Sequence, residues 1–179
     1  GKGANSVATN TALGSGALDA NTTGSNNTAV GQNAATAITT GSENTVLGAS
    51  ALGTNTTGAN NVAIGVNALL VNTTGDKNVA VGEFALDANT TAGSCTAIGF
   101  EAGTSNTTGS QITAIGSEAL ENNTTGNYNI AIGEGALARE GNLDANIAIG
   151  FNAGLRSTGS ANIFIGSGSD APAHIDGAA

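Results

Sequence analysis

The chain contains few of the residues that usually fill a protein core. Of its 179 residues only 3% are aromatic, and there is no Trp, no Met, one Pro and one Cys. This shortage excludes a conventional core of large, interlocking side chains. Charged residues make up only 9% of the chain, whereas hydrophobic residues reach 39% and recur regularly, which is not the pattern of a disordered segment. The composition therefore predicts order that is built from repetition.

Other absences exclude classes of function. Thirteen acidic residues against four basic ones give a net charge of -9, which argues against binding nucleic acid or an anionic membrane surface. Cys95 has no partner for an intrachain disulfide, and no apolar run approaches the roughly 18 residues of a membrane span, so we expect no direct membrane insertion. The start, Gly1 to Asn5, has neither Met nor a signal-peptide core, so we expect a segment of a longer or processed chain.

A 17-residue repeat organises most of the sequence. A glycine closes each short apolar run, with a spacing of 17 residues that falls to 16 at the last step. These glycines are Gly14, Gly31, Gly48, Gly65, Gly82, Gly99, Gly116, Gly133, Gly150 and Gly166. With the first unit beginning at Asn10, the consensus is N-[TVI]-A-[IVL]-G-x-x-A-L-x-x-N-T-T-G-x-x, and positions 1 to 17 below refer to it. Residues 61 to 77 show it almost undiluted.

Each unit predicts one coil of a solenoid. Positions 2 and 4 are mostly β-branched, and position 3 is Ala except at Val46 and Phe164, which indicates a short strand that is apolar and buried on both faces. The glycine at position 5 predicts a turn, Ala-Leu at positions 8 and 9 begins a second extended piece, and Asn-Thr-Thr-Gly predicts a second turn. We therefore predict an all-β parallel β-solenoid or β-roll of about ten coils, a rod of roughly 48 Å.

The repeat also sets the expected domain organisation. It covers residues 10–166, so residues 1–9 are interpreted as a lead-in from a longer chain and residues 167–179 as a tail or cap. Each coil offers few large side chains to offset the entropy of ordering its backbone, and the strand has a second apolar face. Burial of that face against other copies of the chain is the simplest explanation, so we expect a homo-oligomer.

The motif N-x-A-I-G-x-x-A, at residues 61–68, 129–136 and 146–153, resembles the head repeats of trimeric autotransporter adhesins. It is also similar to repeat tracts in tail-fibre and receptor-binding proteins of bacteriophages and other large viruses. The resemblance implies a left-handed parallel β-roll, three of which associate side by side into a trimer. It also implies a non-enzymatic fibre segment, extracellular, on a cell surface or on a virion, that attaches to a glycan or protein receptor. The unit here is longer than the typical adhesin repeat, chiefly because of the Thr-Thr-Gly turn.

Two other functions fit the repeat. The chain could be a structural subunit of an extracellular filament or sheath, with coil ends pairing with further subunits. The Thr-Thr pairs could also form ladders of the kind that bind ice or another regular surface.

Positions 6, 7, 10, 11, 16 and 17 vary freely between units, so we expect them to face solvent. Aromatic residues at these positions lie beside glutamates, and such exposed pairs are candidate contacts for carbohydrate or a host protein. The candidate surface-binding residues are Phe84, Phe100, Tyr128 and Phe151.

No pattern in the sequence predicts catalysis, a cofactor or a metal site. Residues 133–138 spell G-x-G-x-x-A, but they form one register of the repeat and lack the βαβ context of a dinucleotide site. His174 with Asp176 lies in a polar tail without a nucleophile or a second metal ligand. Cys95 is interpreted as a tolerated substitution at position 1, and Asn21 begins one of several N-T-T glycosylation acceptor patterns. We therefore predict that the chain is not an enzyme.

Overall fold

The computed structural model describes residues 9–139 and 141–168, which form a parallel β-solenoid of about nine turns. Each coil contributes one three-residue strand, and the strands lie in chain order in one ten-stranded parallel sheet. The strands are β1 (Thr11–Leu13), β2 (Thr28–Val30), β3 (Thr45–Leu47), β4 (Val62–Ile64), β5 (Val79–Val81), β6 (Thr96–Ile98), β7 (Thr113–Ile115), β8 (Ile130–Ile132), β9 (Ile147–Ile149) and β10 (Ile163–Ile165). The predicted architecture is confirmed. Nearly all of the predicted lead-in and tail lies outside the described residues.

The strand register follows the sequence repeat. Ile64 pairs with Val81, and Val81 pairs with Ile98, so equivalent residues form columns along the rod. Between β9 and β10 the step is 16 residues, and Ile147 still pairs with Ile163. The residue missing from the ninth unit is therefore absorbed by the loop, and the sheet keeps its register.

Each strand buries only its middle residue within the single chain. Ala63 is fully buried between Val62 and Ile64, which are half-buried. Ala68 and Leu69 complete the interior of the same coil. Because positions 2 and 4 point outward, the predicted burial of the second apolar face is not met by this chain alone.

The predicted second extended piece at positions 8 and 9 is wrong. The chain turns there, and Asn67 and Leu69 both have left-handed backbone conformations, with φ of 58° and 53°. A left-handed residue on each side of Ala68 curls the backbone, so this segment does not lie extended. One three-residue strand per coil is therefore the only extended element in the described repeat.

The glycine at position 5 is required by both conformation and space. Gly65 has a φ of +134°, and a Cβ atom there would lie 2.4 Å from the carbonyl oxygen of Gly82 in the next coil. Side chains rarely adopt this φ, and no Cβ fits so close to a backbone oxygen. This explains why all ten units keep glycine at this position.

Two columns of buried asparagines supply much of the cohesion that a small-residue core lacks. At position 1, the Nδ2 of Asn61 donates to the carbonyl of Gly75 at 2.9 Å, and its Oδ1 accepts from the backbone N–H of Asn78 at 2.9 Å. At position 12, the Nδ2 of Asn72 donates to the Oδ1 of Asn55 at 2.9 Å and to Gly75 at 3.0 Å. Each amide therefore joins two coils and ties a turn to the strand, as a satisfied buried polar network must.

The position 1 column is interrupted in two coils. Cys95 and Ile112 replace Asn there, and neither side chain offers an amide oxygen to the next coil. In the described part of the chain, the buried backbone N–H of Asn129 consequently has no hydrogen-bond acceptor, and that of Ile112 faces only the weakly accepting sulfur of Cys95. Buried amides without partners lower stability, so this is a weak layer of the rod.

Three coils lack the leucine at position 9, and each has a large side chain nearby in its place. Ala35 is accompanied by buried Ile38, which stands where position 12 is otherwise mostly Asn. At Gly103, an added Cβ would lie 3.7 Å from the Cδ1 of Ile112. At Gly154, an added Cβ would lie 2.8 Å from the Cδ2 of Phe164, a residue that is 2% exposed. A missing leucine in the interior is thus offset by a large side chain in the same or the next coil, so packing is maintained although the residue type at a given repeat position changes.

Candidate interaction surfaces

The outer face of the sheet carries a row of exposed apolar side chains along the rod. We call it the outer stripe; it comprises positions 2 and 4 of the ten strands, two outward side chains per coil. Several position 4 side chains are well exposed: Leu13 at 65%, Leu47 at 49%, Ile98 at 40%, Ile149 at 41% and Ile165 at 61%. The remaining position 4 residues are half-buried by their neighbours. Monomeric proteins rarely leave such a continuous apolar strip in water.

Three residues at position 6 widen the outer stripe. Val66, Phe100 and Phe151 follow the glycine turn directly and are 44%, 45% and 51% exposed. Phe100 and Phe151 are predicted surface-binding residues, whereas Val66 is an aliphatic residue of a kind that is commonly exposed singly. They share the position 6 column with Glu83, so they border the stripe at separate coils and do not form a continuous apolar column.

The four predicted binding residues do not form a single patch. Phe100 and Phe151 lie three coils apart in the same column, a separation of roughly 14 Å at the spacing of neighbouring strands. Tyr128 is 59% exposed but lies at position 17, beyond the other end of the strands. Phe84, at position 7, is only half-exposed. Any ligand contacted by Phe100 and Phe151 together must therefore extend along the rod.

Carboxylates gather on the side of the rod that follows the glycine turn. Glu83, Glu101 and Glu118 occupy positions 6 and 7 of successive coils, and Glu121 lies close to the last two. Partial burial, and then the charges of Glu118 and Glu101, raise the pKa of Glu121, while Arg139 lowers it. This side is therefore a zone of mutual repulsion at neutral pH, and it is unsuited to an anionic ligand.

The Thr-Thr turns present one regular column of free hydroxyls. At position 13 the hydroxyl donates to the next coil, as from Thr56 to the carbonyl of Thr73 at 3.2 Å. At position 14 the threonines are exposed in seven successive coils. These are Thr23, Thr40, Thr57, Thr74, Thr91, Thr108 and Thr125. A single column lacks the second dimension of a flat array, so the geometry gives little support to the ice-binding alternative.

The irregular turn of the eighth unit still accepts hydrogen bonds from the turn of the seventh unit. Asn142 replaces the usual carbonyl, and its Oδ1 accepts from the backbone N–H groups of Thr124 and Thr125, both at 3.0 Å. The hydroxyl of Thr124 also donates to this oxygen. The turn of this unit therefore departs from the consensus sequence while the hydrogen bonds between the coils are kept.

The remaining motifs from the sequence are placed in structural roles or outside the described residues. Cys95 is fully buried, its thiol lies 3.3 Å from the carbonyl of Gly109, and burial raises its pKa. The asparagines of the N-T-T pattern are 0–1% exposed, as at Asn21 and Asn55, so the folded chain does not present them for glycosylation. The glycines of residues 133–138 lie in the turn after β8. His174 and Asp176 lie outside the described residues.

Among residues 9–139 and 141–168, no helix has the length and apolar character needed to cross a bilayer. The same residues contain no group of three or more His, Cys, Asp or Glu side chains placed to hold a metal ion. Comparisons of this chain with protein-family models, curated proteins and solved structures found no match.

Proposed function

We propose that this chain is a non-enzymatic fibre or adhesin segment that associates with copies of itself into a rigid rod for attachment to a cell or host surface. The partner is a second and, by the resemblance to adhesin heads, a third copy of the chain. The location that fits this role is extracellular, on a cell surface or on a virion.

The observation that carries the proposal is the outer stripe. It runs along all ten coils; position 4 is aliphatic in every strand, position 2 is Thr, Val or Ile, and neither position carries a charge. Its twenty strand residues, with Val66, Phe100 and Phe151, match the 20 to 30 residues that each partner contributes to a standard interface. A rod that buries one face along its whole length would gain stability from every coil.

Attachment would use the surfaces that self-association leaves free. The same turn recurs at each coil and around the axis, so one weak contact is presented many times, and multivalency raises the total affinity. The glutamate-lined side disfavours anionic ligands, so a neutral glycan or a protein surface is the better expected receptor.

Light scattering on purified protein tests the self-association. We expect the mass of three chains for the unmodified protein. Ile98→Asp combined with Ile149→Asp should yield monomers, because both side chains lie in the outer stripe. Thr74→Asp, on an exposed turn away from the stripe, is the matched control and should leave the oligomer intact. A monodisperse monomer for the unmodified protein would overturn the proposal.

Binding to cells or to a glycan array tests attachment separately. We expect the oligomer to bind, and the monomeric variant to bind at least tenfold more weakly because it loses multivalency. Oligomers that bind no cell or glycan would reduce the role to that of a spacer.

A structural filament remains the second proposal because the sheet has two outermost strands. β1 and β10 each pair with a single neighbouring strand among the described residues. Unpaired strand edges are templates for further pairing. Filaments whose growth depends on protein concentration would favour this role, whereas a fixed oligomer mass over a hundredfold range of concentration would exclude it.

A further inference from the structure

The exposed threonines at position 14 are unchanged over seven successive coils, although exposed residues of the same turn differ. We call these threonines the turn threonine column; they are Thr23, Thr40, Thr57, Thr74, Thr91, Thr108 and Thr125. At position 17 of the same coils, the exposed residues are Asn26, Glu43, Asn60, Lys77, Ser94, Gln111 and Tyr128. The units have therefore diverged at this turn, and their common pattern alone does not account for the retained threonine.

The hydroxyl groups of the turn threonine column have no role inside the chain. Among the described residues, none of the seven side chains makes a hydrogen bond. At position 13, in contrast, the hydroxyl of Thr73 donates to the carbonyl of Thr90 at 3.0 Å. The seven threonines are exposed, and none has a left-handed backbone conformation. Neither burial nor backbone conformation therefore requires threonine at position 14.

A preference for β-branched side chains does not explain the column either. Position 2 lies in a strand and favours branched residues, and there Thr is exchanged for Val or Ile, as at Thr45, Val62 and Ile130. In coils 1 to 7, position 14 carries neither Val nor Ile. What these seven coils share is an exposed hydroxyl that no other group of the described chain uses.

The fold closes one route of glycosylation at this turn and leaves another open. Asn55 begins an N-T-T pattern but is 0% exposed, and its Nδ2 donates to the carbonyl of Gly58 at 2.8 Å. Thr57, two residues later, is exposed, and its backbone N–H donates to the carbonyl of Thr73 at 3.4 Å. The turn thus holds one threonine hydroxyl per coil in a fixed place, at the strand spacing of about 4.8 Å.

We propose that the turn threonine column is an acceptor site for O-linked glycosylation, in which a separate transferase adds neutral sugars from a nucleoside-diphosphate sugar. In this transfer, the threonine Oγ1 bonds to the anomeric carbon of the sugar, and the bond from that carbon to the diphosphate breaks. The hydroxyl proton passes to a base of the transferase. Neutral sugars fit a chain with a net charge of -9, whereas phosphates on neighbouring coils would repel one another. The proposal is independent of self-association.

Mass spectrometry of the chain isolated from the organism that produces it tests for the modification. We expect an intact mass that exceeds the sequence mass by whole sugar residues. Alkaline β-elimination should release these sugars, whereas an N-glycosidase should not. Fragmentation by electron transfer should place them on the turn threonine column and not at position 13. An intact mass equal to the sequence mass, or sugars confined to other residues, would overturn the proposal.

A transfer assay tests the choice of acceptor. The unmodified chain, made in a strain without the transferase, is incubated with an extract of the producing organism and radiolabelled nucleoside-diphosphate hexoses and N-acetylhexosamines. The test variant removes all seven hydroxyls and should incorporate at least tenfold less label than the unmodified chain. Its changes are Thr23→Val, Thr40→Val, Thr57→Val, Thr74→Val, Thr91→Val, Thr108→Val and Thr125→Val.

A matched control removes exposed hydroxyls from the strands instead of the turns. It combines Thr11→Val, Thr28→Val and Thr45→Val, and it should keep at least half of the label. Thr74→Val alone, which disturbs the fold least, should lose the label at residue 74 and at no other coil. Circular dichroism should give the same β spectrum for all variants. An unlabelled original chain, or equal labelling of the sevenfold variant and the control, would overturn the column as the acceptor.

Discussion

The exchange of volume between Gly154 and Phe164 gives a quantitative test of the packing. Phe164 occupies the space that a leucine at position 9 fills in most coils, since a Cβ on Gly154 would lie 2.8 Å from its ring. Gly154 already has a φ of +62°, close to the 53° of Leu69 at the equivalent position. A leucine at residue 154 would therefore be opposed by the Phe164 ring and the Leu137 side chain rather than by a large change of backbone conformation.

The two single substitutions should each destabilise the rod. Phe164→Ala removes a ring that is 2% exposed, which costs about 3–5 kcal/mol in the free energy of unfolding. Gly154→Leu overfills the same layer, which costs about 1–3 kcal/mol. The double variant restores the consensus Leu and Ala, so we expect it to lose no more than about 2 kcal/mol. The coupling energy between the two sites should then be at least about 2 kcal/mol.

Urea denaturation at one fixed protein concentration measures this cycle, and hydrogen exchange reports whether coils 9 and 10 open before the others. The matched control pairs Gly154→Leu with Ile112→Ala, a buried residue of a different layer, and the effects of these two changes should add. Additivity of Gly154→Leu and Phe164→Ala to within about 0.5 kcal/mol would refute the compensation argument.

Three further changes test the column positions. Cys95→Asn gives the buried N–H of Ile112 an amide oxygen in place of the weakly accepting sulfur, and it should raise the free energy of unfolding by about 1 kcal/mol relative to Cys95→Ala, which removes the sulfur. Equal stability of the two variants would show that this amide gains nothing from a stronger acceptor. Glu121→Gln should raise the melting temperature at pH 7, because the raised pKa of Glu121 means that ionisation of its carboxyl group destabilises the fold. The gain in melting temperature should vanish below pH 4, under the ordinary carboxyl pKa of 4.5. A gain that persists below pH 4 would show that ionisation of Glu121 is not its cause. Gly65→Ala should lower the free energy of unfolding by at least about 3 kcal/mol. Gly166 has a similar φ but open space around it, so Gly166→Ala should cost about 1–2 kcal/mol less. Equal losses would show that the close contact between coils does not contribute.

Column-based reasoning from the sequence predicted the coil, the strand and the glycine turn, because these depend on local conformation repeated at a fixed spacing. The turn at positions 7 to 9 was not predictable in this way. It depends on left-handed conformations at Asn67 and Leu69, and a left-handed leucine is not expected from residue type. Leucine at a left-handed position is unfavourable in isolation, and burial at Leu69 offsets that cost. This is a tertiary effect, invisible to local propensity.

The same limit applies to the exceptions in the repeat. Val46 and Phe164 break the alanine column at position 3, and Ile112 breaks the asparagine column at position 1. Each lies in the coil that follows one lacking leucine at position 9. This relation follows from the three-dimensional contacts between neighbouring coils, which show which positions pack against each other in the interior.

Interior and exterior columns of the rod are thus under different constraints. Inside, a lost leucine is matched by a gained side chain nearby, because total volume in the layer is what stability depends on. Outside, no such compensation is needed for a face that meets only water, and threonine would form these strands as well as valine or isoleucine. Position 4 is nevertheless aliphatic in every coil, with Leu13 and Ile165 more than 60% exposed at the two ends of the sheet. Under the proposed self-association, a second copy of the chain gives those side chains the same kind of packed surroundings that the interior provides.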